Sequence, residues 1–182
     1  MKTFIVLLRG VMPTGKKKVP MAELRLVLSK AGLEDVQTYI QSGNVMLSSS
    51  LSQSKIEQLV HDLIKKKIGA DIAVLVRTAG QFRNIVKNHP FANDDTARIY
   101  FSILDSRPNL KQLEDFSTLD FSPEQVHIVN DVIYTLYATK YRDSKFTNNF
   151  FENKLNVKAT TRNFNTMNKL VALIAKPPYS EK

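Results

Sequence analysis

The chain has 182 residues, 43% hydrophobic and 24% charged, an ordinary globular composition with enough apolar residues for one sizeable core or two small ones. It contains no cysteine, which excludes disulfides, thiolate nucleophiles and cysteine-based zinc or iron–sulfur sites. The formal charge of +9 is uneven, because residues 1–90 hold 14 Lys/Arg against 6 Asp/Glu while residues 91–182 hold 12 against 11. A basic half joined to a nearly neutral half fits an anionic partner, although surplus lysines also serve a soluble surface. The opening MKTFIVLLRG has a lysine and then apolar residues, but Arg9 ends the apolar run after Leu8. That run is too short for a signal peptide and nothing approaches a membrane span, so a cytoplasmic protein with no membrane partner is expected.

In chain order, Phe4–Leu8 reads as a fully buried strand. Met21, Leu24, Leu28 and Ala31 recur at helical spacing behind Pro20, a residue that a first helical turn tolerates. Val36–Gln41 alternates as a strand, and Val45–Leu47 follows across Ser42-Gly43, which predicts a hairpin. Ser54 with Glu57 has capping-box spacing ahead of Ile56, Leu59, Val60, Leu63, Ile64 and Ile68, an amphipathic helix. Ile72–Val76 predicts another strand, and Phe82, Ile85 and Val86 a short helix.

After the turn-rich stretch from His89 to Asp95 the order starts again. Arg98–Leu104 predicts a strand, and Leu110, Leu113 and Phe116 a helix after Pro108. Val126–Val129 and Val132–Ala138 predict a hairpin around Asn130-Asp131, and Phe146–Leu155 a helix capped by Ser144. An extended piece near Val157–Thr161 precedes a helix carrying Met167, Leu170, Val171 and Ile174. Arg77-Thr78, ahead of the first closing helix, is echoed by Arg162-Asn163 ahead of the second.

The expected fold class is therefore α+β, with duplicated ferredoxin-like βαββαβ units, antiparallel sheets, and an extra helix after each unit. The expected organisation is a basic first subdomain over residues 1–90, a second over 96–176 and a tail at 177–182. In the first unit Ile5, Leu7, Met46 and Leu75 should point away from the helices. That face is too apolar to be left in water, and the second unit or a second copy of the chain, in a homodimer, is expected to cover it.

The same topology gathers separate segments at one end of the first sheet. The hairpin turn Gln41-Ser42-Gly43-Asn44 should lie beside the Gly10–Lys18 loop, and the second helix should bring Lys65-Lys66-Lys67 to the same end. Glycines before a helix N-terminus and mobile lysines suit an anion. Lysines in a last helical turn also oppose the helix dipole, and Ser-Gly is good turn chemistry, so a purely structural reading stands beside the functional one. The stretch from Gly10 to Lys17 nearly matches G-x-x-x-x-G-K-[ST], the phosphate-binding loop. Lys17 replaces the magnesium-binding hydroxyl, Pro13 removes a backbone N–H and no parallel sheet is expected, which argues against a nucleotidase.

His61, His89 and His127 form no ligand set, and Ser144-Lys145 is better read as a cap than as a catalytic pair. The fold class also includes RNA-recognition modules, which need exposed aromatics on the central strands. The first unit offers only Ile5, Leu7 and Met46 there. In the second, Tyr100 and Tyr134 are candidates for one face with Arg98, more simply read as core or rim residues.

The segments LLRGVMPTGKKKVPMAEL, GLEDVQTYIQSGNV and RDSKFTNNFFENKLNVKATTRNFNTMNKL together resemble a bacterial family grouped as domain of unknown function 1697, over nearly the whole chain. The resemblance implies a cytosolic bacterial protein of two ferredoxin-like subdomains and supplies no reaction, cofactor or catalytic residue. That family's first loop typically reads like R-G-I-N-V-G-G-K-N-K. Gly15 and Lys16 are kept here, whereas Met12, Pro13, Thr14 and Lys17 depart from it.

Three readings stand. A binding protein for a phosphate-bearing small molecule or nucleic acid would use Gly10 and Gly15 for close backbone approach. Lys16, Lys17 and Lys66 would supply charge, and the Ser42-Gly43-Asn44 turn hydrogen bonds. An enzyme acting on a small anionic substrate would add Arg9, Tyr39 or Arg162 as electrophilic groups, with no general base in view. A ligand-free interaction module would need only its apolar sheet faces. No cofactor and no metal site is expected.

Overall fold

Alternation along β1 (Lys2–Leu8) divides its side chains between two faces. Phe4, Val6 and Leu8 enter a core with Leu24 and Leu28 of α1 (Met21–Lys30) and Ile56 and Val60 of α2 (Gln53–Leu63). The unit is completed by β2 (Glu34–Tyr39), β3 (Asn44–Ser49) and β4 (Val74–Thr78), with α3 (Ala79–Lys87) following. The strands are antiparallel in the order β2-β3-β1-β4. The computed structural model describes residues 1–175, so the expected tail at 177–182 lies outside the described residues.

The second copy repeats the order with β5 (Ile99–Leu104), α4 (Leu110–Ser117), β6 (Gln125–Val129), β7 (Val132–Leu136), α5 (Asn148–Leu155), β8 (Ala159–Asn163) and α6 (Phe164–Ile174). Its strands are antiparallel in the order β6-β7-β5-β8, the same arrangement four strands later. The fold is thus the duplicated α+β βαββαβ architecture expected. Its helix-facing core is aromatic, with Phe116, Tyr137, Phe146 and Phe151 packed over Leu104 and Ile133. By contact the chain divides into one unit of Met1–Asn84 together with the chain from Leu170 onward, and another of Ile85–Lys169. Both boundaries fall inside helices, α3 and α6.

The apolar second face of the first sheet is covered. Ile5, Leu7, Met46 and Leu75 are all buried, and Leu173 and Ile174 of the same unit lie around a small recess with Thr3, Met46 and Ser48. Burial of such a face is what the hydrophobic effect requires.

Three local expectations need correction. The cap of α2 is Ser52, whose Oγ accepts the Lys55 N–H at 3.4 Å, not Ser54, because the helix starts one residue before Ser54. The helix expected from Phe146 begins at Asn148 after Thr147. Ser144 Oγ accepts the Phe146 N–H at 3.1 Å in the turn before it, so Ser144 is not the helix cap. Tyr100 and Tyr134 do not share a face, because Tyr134 pairs with Phe101 while Tyr100 pairs with Thr135. One residue of register reverses a strand side chain.

A capping box that sequence did not suggest starts α4. Gln112 N–H donates to Asn109 Oδ1 at 2.9 Å, and Asn109 N–H donates to Gln112 Oε1 at 2.7 Å. Asn109→Ala should cost about 1 kcal/mol, read as a lower urea midpoint with an unchanged far-ultraviolet spectrum.

Candidate functional site

At one end of the first sheet Leu7 stands opposite Asn44, Leu8 opposite Val74 and Tyr39 opposite Asn44. The connection from Arg9 to Pro20, the turn from Ile40 to Gly43 and the start of β4 therefore meet there. Two main-chain bonds tie them together: Leu8 N–H donates to the Gly43 carbonyl at 2.8 Å and Arg9 N–H to the Ala73 carbonyl at 2.9 Å.

Within the long connection, Gly10 and Gly15 take φ of +71° and +78°. Met12 N–H donates to the Lys17 carbonyl at 3.0 Å, and a single 3-10 turn spans Gly15–Lys17. The result is a closed loop whose tip exposes Lys16, Lys17 and Lys18, none with an ion-pair partner among the described residues. It leads into α1, whose N-cap Pro20 provides no side-chain acceptor, and Leu24 N–H, bonding to the Pro20 carbonyl, begins the helical ladder. Ala22 and Glu23 in that first turn are exposed, and first-turn N–H groups have no acceptor within the helix. Glu23 supplies the only first-turn carboxylate.

The turn is held from inside. Fully buried Asn44 donates from Nδ2 to the Tyr39 carbonyl and to Ser42 Oγ, each at 3.1 Å. Gly43 is buried at φ +78°, and a Cβ there would lie 2.6 Å from Leu8 Cβ and 2.9 Å from Val11 Cγ2. Asn44 and Gly43 therefore build the turn, while Ser42 is exposed and Tyr39 and Arg9 are half-buried. Ile40 in the same turn is 49% exposed with φ +52°. A β-branched residue in the left-handed region costs about 1–2 kcal/mol and is uncommon outside constrained sites.

The lysine triplet lies on a π-helical turn, Ile64–Ile68, closed by Gly69 N–H donating to the Ile64 carbonyl at 3.0 Å. Such turns recur at functional positions. Part of its charge is neutralised locally. Lys65 Nζ pairs with Asp71 at 2.7 Å, and His61 Nε2 lies 3.0 Å from the same carboxylate. The Lys65 hydrogen bond holds the Asp71 carboxyl below its usual range, and Lys66 contributes charge to lowering Asp62, behind the larger effect of the Gln58 hydrogen bond. Lys66 remains exposed.

Arg162 is not at this end. It lies in the second unit on β8, opposite Phe101, buried, with Nη1 donating to Thr160 Oγ1 at 2.8 Å and the Thr161 carbonyl at 2.9 Å. Burial pulls its pKa down to about 10. Its sequence echo, Arg77, occupies the same place on β4, opposite Ile5, with Nη1 donating to the Val76 carbonyl at 2.7 Å. The residue after each arginine accepts from a first-turn helix N–H: Gln81 N–H donates to Thr78 Oγ1 and Thr166 N–H to Asn163 Oδ1.

A family model described as "Protein of unknown function (DUF1697)" matches residues 1–134. The chain belongs to this family. Among solved structures, a conserved bacterial protein from Streptococcus pneumoniae is similar, with a TM-score of 0.77 and 23% identity over 97% of this chain and 99% of that one. At that identity the likeness is one of fold. No curated protein matches the chain. Among the described residues no helix is long and apolar enough to cross a membrane, and no group of three or more His, Asp or Glu residues could hold a metal ion.

In this DUF1697 chain the duplication supplies an internal comparison. Leu104 N–H donates to the Asp131 carbonyl and Asp105 N–H to the Lys158 carbonyl, reproducing the bonds of Leu8 and Arg9. Asp105 is thus the counterpart of Arg9, and Asp131 of Gly43. The long connection from Arg9 to Pro20 corresponds to one running only from Asp105 to Asn109. The same end of the same architecture is basic and extended in one copy, and short in the other, where Asp105 and Arg107 balance. The fold itself does not need those lysines. Sequence reasoning named the Gly10–Lys18 loop and the helix start behind it but passed over Ile40, whose left-handed φ is a matter of backbone angle.

Proposed function

We propose that the Arg9–Lys18 end of the first unit binds a phosphate-bearing ligand. The phosphate is held by Lys16, Lys17 and Lys18 together with the N–H groups of the first turn of α1, and the buried Gly43-Asn44 turn fixes the loop behind them. The reversal from Arg9 to Asp105 between equivalent positions is the observation that carries the reading. A connection longer than its counterpart and loaded with unpaired lysines answers to something other than folding.

A thermal-shift series with nucleotides, sugar phosphates and short RNAs at low salt tests it. A ligand at a hundred times its Kd stabilises by about 2.7 kcal/mol, a rise of several degrees for a chain of this size. Lys16→Ala with Lys17→Ala should abolish the rise, and Glu23→Gln should enlarge it by removing the competing carboxylate. A nucleic-acid ligand is distinguished by a steep loss of stabilisation with added salt. A flat response to every phosphate compound would overturn the proposal.

A further inference from the structure

The second unit departs from the first at another connection. Between β7 and α5 the chain runs from Tyr137 to Thr147, whereas the corresponding link between β3 and α2 is only Ser50 to Ser52. The added chain includes a 3-10 turn, Tyr141–Asp143. With the start of β5 it encloses an open recess of about 490 Å³ whose functional lining is Arg98, Tyr100, Thr139, Lys140, Tyr141 and Asp143.

The aromatic wall is rigid. Tyr100 and Tyr141 stack with ring centres 5.1 Å apart and planes 13° apart. Tyr137 meets both edge-on, at 5.1 Å and 5.4 Å, and its hydroxyl donates to the Phe146 carbonyl at 2.6 Å. The cationic side is oriented as well. Half-buried Arg98 is anchored through Nε, which donates to the Tyr137 carbonyl, and neither Arg98 nor Lys140 has a carboxylate partner among the described residues. Two acids are near: Asp143, on the rim of the recess, lies 3.7 Å from Arg142 Nε, and Asp95 accepts the Ala97 N–H at 3.0 Å.

We propose that this recess binds a small aromatic anion, a planar ring bearing a phosphate or carboxylate. The anionic group lies on the guanidinium of Arg98 and the ammonium of Lys140, and the ring packs on the Tyr100–Tyr141 pair. A few convergent polar groups against an aromatic wall are the makings of a small-molecule site, with charge-assisted bonds fixing one end and ring contacts the other. The site lies in the other unit from the lysine loop and on a different connection, so the two assignments are independent.

Amide chemical shifts of the full chain, titrated separately with phenyl phosphate, inorganic phosphate and phenol, test it. Phenyl phosphate should shift residues 97–100 and 138–143 saturably and bind at least about fivefold more tightly than either fragment. Exposed Lys140→Gln should weaken that binding about fivefold, the loss of one exposed charged contact, without disturbing the rest of the spectrum. No saturable shift in those residues, equal affinity for inorganic phosphate, or unchanged binding by the Lys140→Gln chain would each overturn the proposal. Shifts confined to residues 9–23 would overturn it too while leaving the lysine-loop site standing.

Discussion

Gly43→Ala should destabilise the first unit by about 3 kcal/mol or more, lowering the melting temperature by about 6–12 °C. Two costs coincide at this position. A left-handed backbone, φ +78°, is unfavourable for any residue with a Cβ, and that Cβ would enter Leu8 and Val11 at 2.6 Å and 2.9 Å. Leu8 cannot yield cheaply: it is a fully buried β1 residue, and its N–H bonds to the Gly43 carbonyl. Gly10→Ala is the control, since its φ is +71° but nothing lies within 4 Å of the added methyl. That substitution should cost only about 1 kcal/mol. Urea unfolding of the two variants measures the difference, and equal losses would mean that the turn does not pack against β1 as described. Because Gly43 joins the turn to the strand that launches the lysine loop, its variant should also weaken phosphate binding.

The second large effect is alkaline unfolding. Burial pushes the Tyr134 phenol up to about 12, burial pushes Tyr137 further in the same direction, and half-buried Tyr141 follows for the same reason. An unfolded phenol ionises near 10, below these folded values, so the stability these groups contribute is fully present below pH 10. Above it the unfolded chain releases protons that the folded chain keeps, and each buried phenol removes about 1.4 kcal/mol per pH unit. Arg162 acts oppositely: with its folded pKa lowered to about 10, the folded state sheds a proton that the unfolded state retains above that pH. One cation therefore offsets one phenol, leaving Tyr134 or Tyr137 and a smaller share from Tyr141. A net loss of about 1 to 1.5 kcal/mol between pH 10 and 11 follows, because the unfolded phenols are only half ionised at pH 10. Urea midpoints across that interval measure it, and absorbance at 295 nm should show at least three of the six tyrosines ionising only as structure is lost. Ionisation of all six near pH 10 with an intact circular dichroism spectrum would contradict the burial of this cluster.

Legibility in the sequence followed the range of the interactions. Each βαββαβ order could be read because alternation and helical spacing are local, and Phe4, Val6 and Leu8 turn inward as the strand period requires. The covered face of Ile5, Leu7, Met46 and Leu75 was legible for the same reason. Where two candidates stood within a turn of each other, local signals did not discriminate. Ser54 has Glu57 at capping-box distance, yet the helix begins at Gln53 and Ser52 accepts the bond. The faces of Tyr100 and Tyr134 hinged on a single step of register.

The meeting of the Gly10–Lys18 connection with the Ser42–Asn44 turn was legible because antiparallel pairing alone brings those two segments to one end of the sheet. What each residue does there was not. Asn44 turns inward, Lys65 is taken by Asp71, and Arg162 stands in the other unit. The counterpart relation of Arg9 and Asp105 emerges only from equivalent main-chain bonds, since the two copies share too little identity to align by eye.

One titration separates a phosphate site at the basic end of the first unit from solvated surface. Amide chemical shifts of the unaltered chain, titrated with tripolyphosphate at low salt, read the difference most directly. A phosphate site gives saturable shifts concentrated at residues 9–18 and 21–23 with smaller ones at 42–44, all lost in the Lys16→Ala, Lys17→Ala chain. Weak, unsaturated shifts spread over lysines on both units, from Lys30 to Lys158, would contradict it.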